Sequence, residues 1–141
     1  MVNFWHKTLS KLLIRRETLA KIFGEYFAVG YLKIYWLAAG AANLLLWLAA
    51  WLMRSSIEQD LVILHYNTIF GIDWVGNPNG LFWLPAAGAI LLALNIFVSF
   101  FFYRRDKFLV HLLFGGALLA NFIIALALYS LFLVNSVKIS F

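Results

Sequence analysis

Four side chains that could exchange protons or bind a ligand lie close together near the middle of the 141-residue chain. They are His65, Tyr66, Asn67 and Asp73, and no other part of the sequence holds so dense a set. A histidine and an aspartate can orient one another or supply two metal ligands, whereas structural zinc usually needs four protein ligands and catalytic zinc three. The sequence has no HExxH, GxSxG or phosphate-binding glycine motif. We therefore predict no catalytic residue, no metal site and no cofactor, and interpret the four residues as structural groups or a partner surface.

The amino-acid composition indicates whether the helices and strands that position these residues are surrounded by water or by lipid. Of the residues 65% are hydrophobic and 12% are charged, whereas about 25% are charged in ordinary soluble domains. A chain this short could not bury so much apolar surface in water, because small domains leave a large share of their area exposed. The composition therefore predicts a membrane protein. Cysteine is absent, so no disulfide or thiolate site is available.

Three hydrophobic runs are long enough to cross a hydrocarbon core of about 30 Å. They cover residues 34–53, 81–103 and 108–134, approximately. We predict an all-α transmembrane fold, a three-helix bundle formed by residues 34–141. A small outer hairpin or flap, residues 54–80, joins the first two spans.

Residues 1–33 are basic and amphipathic. On a helix, apolar residues such as Trp5 and Leu13 share one face and the basic residues share the other. This pattern predicts a helix lying in the plane of the lipid headgroups, and the alternative is an arm that docks an acidic partner or nucleic acid. The side chains predicted to contact anionic lipid are Lys7, Lys11, Arg15, Lys21, Arg104 and Arg105.

The distribution of charge predicts the orientation. Segments 1–33 and 104–107 hold nine of the eleven lysines and arginines, while segment 54–80 has one basic residue against three acidic ones. Because cytoplasmic loops carry the excess of basic residues, the N-terminus and the 104–107 turn are expected in the cytoplasm. Segment 54–80 and the C-terminus are then expected outside.

Polar residues within the spans are the second candidate site. Each span has one asparagine, and at about 1.5 Å per residue Asn43 and Asn95 could meet at one depth, with Asn121 lying deeper. Unpaired carboxamides are costly in hydrocarbon. They are therefore predicted to join helices, or else to line a polar path through an oligomer. His111, near the cytoplasmic end of the third span, is interpreted as a hydrogen-bonding residue, with a proton relay as the alternative.

The flap is predicted to be ordered, because its two runs 61–64 and 69–75 are apolar, β-branched and aromatic. Asn67 is expected to adopt the left-handed turn conformation between them, and residues 76–80 form a strong turn signal. Residues 55–58 resemble a capping box and predict a short helical turn after the first span. The flap residues predicted to contact a partner are His65, Tyr66, Asn67, Phe70, Gly71, Asp73 and Trp74.

The run LHYNTIFGIDWVG, followed by a proline-headed span containing an asparagine and then a basic turn, is similar to a known pattern. It resembles a family of small uncharacterised bacterial integral membrane proteins with an LHYN-x-x-FGID-type loop between spans. The likeness covers roughly residues 35–135. It implies a multi-pass protein of the bacterial inner membrane but no particular activity. The matching residues are Leu64, His65, Tyr66, Asn67, Phe70, Gly71, Ile72, Asp73, Pro85 and Asn95.

Two functions remain open from the sequence. The first is a non-enzymatic subunit or scaffold of a membrane or envelope assembly that binds partners through flap residues 61–76. The second is a small oligomeric transporter or channel with Asn43, Asn95 and Asn121 lining its path. A lipid enzyme using His65 and Asp73 has less support, because no nucleophile or complete metal set accompanies them. The expected partners are the bilayer with its anionic lipids and a homo-oligomer or larger complex, with no nucleic acid.

Overall fold

The structure, a computed structural model, describes residues 20–67, 69 and 71–136. The predicted lipid contacts Lys7, Lys11 and Arg15, and the flap residue Phe70, lie outside the described residues. The described elements, in chain order, are a helix α1 that includes residues 20–28, helix α2 (Gly30–Ser56), strands β1 (Val62–Asn67) and β2 (Gly71–Gly76), a 3-10 helix (Pro78–Phe82), and helices α3 (Trp83–Phe102) and α4 (Lys107–Ser136).

The three predicted long apolar helices are confirmed. Three helical segments, Gly30–Ser56, Pro78–Phe102 and Lys107–Ser136, are long and apolar enough to cross a membrane. The first begins four residues before the predicted span and ends three residues after it. The chain divides into two compact units, residues 1–36 and 37–141, whereas the predicted division lay at residue 33.

Aromatic side chains cluster in the described part of the first unit. The rings of Phe27 and Trp36 have centroids 4.3 Å apart, and Tyr26 lies 5.2 Å from Trp36. The Tyr26 side chain is buried. Lys21, which lies on α1 with Tyr26 and Phe27, is exposed.

The three long helices differ in length. Helix α2 has 27 residues and α4 has 30, whereas α3 has only 20. At about 1.5 Å per residue, these helices are roughly 40, 45 and 30 Å long. The hairpin and the 3-10 helix precede α3 and pack at the end where α2 and α4 finish. We call this end of the bundle the hairpin end, and the opposite end, at residues 104–107, the basic end.

Two clusters of the hydrophobic core lie towards the hairpin end. One cluster joins Leu46 and Ala50 of α2 to Leu128 of α4, with Phe82 and Leu84 packed against it. The next cluster towards the hairpin joins Met53 of α2, Leu131 of α4 and the fully buried Leu81 of the 3-10 helix. The 3-10 helix therefore acts as a wedge between the two longer helices.

Local capping explains where two of the helical elements begin. The Asn77 side-chain oxygen accepts the amide of Asn79, and Pro78 occupies the first turn of the 3-10 helix. At the basic end, Asp106 Oδ1 accepts the amide of Leu109. A carboxylate at a helix N-terminus satisfies an otherwise unpaired amide and complements the helix dipole.

The predicted hairpin is a two-stranded antiparallel sheet. Val62 lies opposite Gly76 and Asn67 lies opposite Gly71, with irregular pairing on both sides of His65. The left-handed position belongs to Gly71, with φ 77°, and not to Asn67 as predicted. Glycine adopts this conformation without a steric cost, and the Asn67 side-chain oxygen instead accepts the amide of Ile69.

The helical turn predicted from the capping-box pattern at residues 55–58 is absent, since residues 57–61 are not helical. Both serines are the last residues of α2, and their hydroxyls donate back to the carbonyl of Leu52 at 2.9 Å. Serine hydroxyls often bond to the preceding helical turn in this way.

Candidate interaction site

An asparagine side chain of α4 is hydrogen-bonded to the backbone of the hairpin. The Asn135 amide nitrogen donates to the carbonyl of Ile63 at 2.9 Å, and its Oδ1 accepts the amide of Ile63 at 2.9 Å. The same nitrogen also donates to the Leu131 carbonyl within α4. The side chain thus satisfies both backbone groups of one β1 residue, as a neighbouring strand would. Asn135 was not predicted as a site residue, since it lies just past the predicted end of the third span, at about residue 134.

A leucine between two glycines provides the second attachment. A Cβ added to Gly76 would lie 2.8 Å from Leu64 Cδ1, and one added to Gly80 would lie 2.6 Å from the same atom. Leu64 also packs against the core cluster of Met53, Leu81 and Leu131. The two glycines were predicted as turn residues; their further role is to leave room for this side chain.

An arginine joins α2 to the segments on either side of the hairpin. Arg54 Nε donates to Asn79 Oδ1 at 3.1 Å, and Nη1 donates to the carbonyl of Ile57 at 3.4 Å. The last turn of α2 is thereby joined to the segment that follows β2. From the sequence, Arg54 is notable only as the one basic residue of segment 54–80.

The histidine and aspartate of the hairpin form a pair across the two strands. His65 Nδ1 lies 2.6 Å from Asp73 Oδ1, and the two side chains are 59% and 42% exposed. Exposed pairs of this kind contribute about 0–1 kcal/mol. Within the described residues, no group of three or more histidine, cysteine, aspartate or glutamate side chains could hold a metal ion. The arrangement fits a contact that fixes the strands relative to one another.

The hairpin presents an apolar surface that its attachments leave uncovered. We define the hairpin surface as five large side chains that are each at least 45% exposed. Two of them, Tyr66 and Trp74, were predicted to contact a partner. The five residues of the hairpin surface are Tyr66, Ile69, Ile72, Trp74 and Val75.

The polar residues of the spans form a second, buried group. Asn43 Nδ2 donates to Asn121 Oδ1 at 3.0 Å and to the carbonyl of Pro85 at 3.1 Å. Asn121 in turn donates to the carbonyl of Ala117 at 2.8 Å. The two asparagines are only 7% and 2% exposed. All three long helices therefore meet at this group, which we call the asparagine junction.

Asn95 is not part of the asparagine junction, although its depth was predicted to match that of Asn43. The residue of α3 that lies against both amides is Gly88, where an added Cβ would be 2.8 Å from Asn43 Nδ2 and from Asn121 Oδ1. Gly88 precedes Asn95 by seven residues, or about 10 Å along the helix. The register between α2 and α3 depends on tertiary packing at the hairpin end, which hydropathy alone does not reveal.

The remaining predicted residues lie towards the basic end. His111 is exposed one turn into α4, and Arg105 is exposed in the turn before it. The Arg104 guanidinium lies 5.5 Å from the ring centroid of Tyr103, a distance at which a cation is attracted to an aromatic face. None of these side chains is part of the asparagine junction or the hairpin surface.

Comparison of the chain with protein-family models, with curated proteins and with solved structures finds no match.

Proposed function

We propose that this protein is a multi-pass membrane protein, non-enzymatic, that acts as a subunit or scaffold and binds a protein partner through the hairpin surface. One observation carries the proposal: a hairpin that Asn135 and Leu64 join to the bundle exposes five large apolar side chains. A surface held in one conformation loses little entropy on binding, which favours recognition. Exposed aromatic side chains are also the residues most enriched at binding hot spots.

The membrane setting is supported by the three long apolar helices, Gly30–Ser56, Pro78–Phe102 and Lys107–Ser136. Their exposed apolar side chains suit a lipid solvent. The exposed apolar side chains of the hairpin surface belong to a sheet outside these helices. Contact between the helices and lipid therefore does not explain them. Its partner is either an envelope protein or a second copy of this chain. The proposed location is the bacterial inner membrane with the basic end in the cytoplasm, which places the hairpin outside.

The geometry gives less support to a transporter. A polar path requires side chains that face a cavity or an oligomer axis, whereas Asn43 and Asn121 are buried and bonded to one another. Asn95 lies about two turns away from them along α3. The paired amides fit the role of joining helices.

Site-specific photo-crosslinking in native membranes tests the proposal. A photoreactive phenylalanine analogue is placed at Trp74, and the matched control carries it at Phe97, an exposed aromatic residue of α3. We expect a discrete protein adduct from position 74 and lipid adducts from position 97. The substitution Ile72→Asp should abolish the protein adduct by placing a charge in the hairpin surface. Lipid adducts alone from position 74 would contradict a role in partner binding.

A further inference from the structure

A groove of about 590 Å³ lies between α2 and α4. Its walls are apolar, with Leu45 and Ala49 on α2 facing Phe122 and Ala125 on α4. Alanines on both helices leave the space open, and within the described residues no other segment of the chain lines it.

The groove has polar groups only towards its ends. Asn121, which belongs to the asparagine junction, lines the end nearer the middle of the helices. Ser56 and Tyr129 line the part nearer the hairpin end. A molecule that fits these walls would have a long apolar body and a polar group at the hairpin end.

The groove is long enough to extend across one leaflet of a bilayer. The lining residues extend from Ala42 to Ser56 on α2 and from Leu118 to Phe132 on α4. Each stretch contains 15 residues, so its first and last residues lie about 21 Å apart at 1.5 Å per residue. Half of a hydrocarbon core of about 30 Å is roughly 15 Å, so the groove covers one leaflet and reaches the headgroup layer.

We propose that this groove binds one acyl chain of a membrane phospholipid, with the chain end near Asn121 and the headgroup at the hairpin end. The proposal rests on the membrane insertion proposed above but not on the hairpin surface. The groove's volume lies within the roughly 300–1,000 Å³ of small-molecule sites. The bound chain would fill a gap between two helices that meet mainly at the asparagine junction and the core clusters.

Lipid crosslinking tests the groove directly. The purified full chain is reconstituted with a phosphatidylglycerol or phosphatidylethanolamine that carries a diazirine in its acyl chain, and the adducts are mapped by peptide mass spectrometry. We expect adducts concentrated at Leu45, Ala49, Phe122 and Ala125. Adducts spread evenly over all apolar helix faces would overturn the proposal.

Two groove-filling variants give a second measurement. Ala49→Phe and Ala125→Phe each place a ring in the groove, whereas Ala93→Phe places one on an exposed part of α3 as the matched control. Native mass spectrometry in a mild detergent should show retained lipid reduced by about tenfold in both groove variants, since overpacking a filled space is unfavourable. Retention equal to that of Ala93→Phe would overturn the proposal.

A second copy of the chain is the competing occupant, and the absence of cysteine makes it testable. Under oxidation in membranes, Ala49→Cys should stay monomeric if a lipid fills the groove, while a disulfide-linked dimer would overturn the proposal. Crosslinking of the hairpin surface from position 74 is measured separately. Failure of the groove proposal therefore leaves the partner-binding proposal intact, and the reverse also holds.

Discussion

At the scale of single residues, the asparagine junction joins three helices through a few donors and acceptors. The Asn43 amide nitrogen donates to both Asn121 and the Pro85 carbonyl, so one side chain of α2 contacts α3 and α4 together. In hydrocarbon, a carboxamide without a partner costs several kcal/mol. The Asn121 amide nitrogen meets this requirement within its own helix, at the carbonyl of Ala117. The hydrogen bond between the two asparagines therefore lowers the cost of burying each side chain.

A double-mutant cycle on Asn43 and Asn121 should show strong coupling. We expect Asn43→Leu and Asn121→Leu each to lower the free energy of unfolding by about 1–2 kcal/mol, since each leaves the other amide short of a partner. The double variant should lose less than the sum of the two single losses. Unfolding in bicelles measures all four proteins, and strictly additive losses would show that the two amides do not interact.

Gly88 should tolerate no side chain, because an added Cβ would lie 2.8 Å from both amides. We expect Gly88→Ala to destabilise the protein by about 1–3 kcal/mol, the usual cost of overpacking a core. The matched control is Gly115→Ala in α4, where an added Cβ meets nothing within 4 Å. Alanine favours a helix over glycine by up to about 1 kcal/mol, so the control should lose no stability. Equal thermal unfolding temperatures for the two variants would contradict the close contact at Gly88.

At the scale of elements, the hairpin depends on contacts with the helices for its order. A two-stranded hairpin is marginal on its own, and its register near His65 is irregular. Asn135 of α4 bonds to its backbone, and Leu64 packs against Met53 of α2 and Leu131 of α4. The Arg54 hydrogen bonds hold the segments on either side of it. These contacts explain how a short sheet can present exposed apolar side chains in one arrangement.

Loss of the Asn135 side chain should loosen the hairpin while leaving the helices intact. In Asn135→Leu, the amide of Ile63 loses its acceptor, so its hydrogen exchange should accelerate by about tenfold, corresponding to a hydrogen bond of roughly 1 kcal/mol or more. Ser130→Ala is the control, since that hydroxyl bonds only within α4, to Leu126. Exchange at Ile63 that is unchanged in Asn135→Leu would show that the strand is held by other contacts.

The sequence predicts the elements better than it predicts their contacts. Hydropathy locates three helices because each long apolar run exceeds the length needed to cross a bilayer. Turn chemistry locates the hairpin, although Gly71 rather than Asn67 takes the left-handed position. The pairing of Asn43 with Asn121 could not be predicted from spacing, because hydropathy does not determine how far one helix is displaced along another. Asn135 carries no local pattern that distinguishes it from an ordinary helix end.

At the scale of the whole molecule, charge is distributed unequally between the two ends of the bundle. The turn at residues 104–107 has three basic residues and one acidic residue, whereas segment 54–80 has one basic residue and three acidic ones. Arg54, the basic residue of that segment, donates to Asn79 and to the backbone of Ile57. Because cytoplasmic loops carry the excess of basic residues, this distribution predicts the basic end on the cytoplasmic side and the hairpin end on the opposite side.

Impermeant thiol labelling of intact cells tests this orientation in a chain that has no cysteine of its own. Asp60→Cys lies in the exposed segment before β1, and Lys107→Cys lies at the exposed start of α4. We expect labelling of Asp60→Cys from outside, and of Lys107→Cys only after the membrane is permeabilised, because short basic loops are retained in the cytoplasm. A permeable thiol reagent controls for accessibility at both positions. Labelling of Lys107→Cys in intact cells would show that the orientation is the opposite one. The hairpin surface would then lie in the cytoplasm, which would exclude an envelope partner.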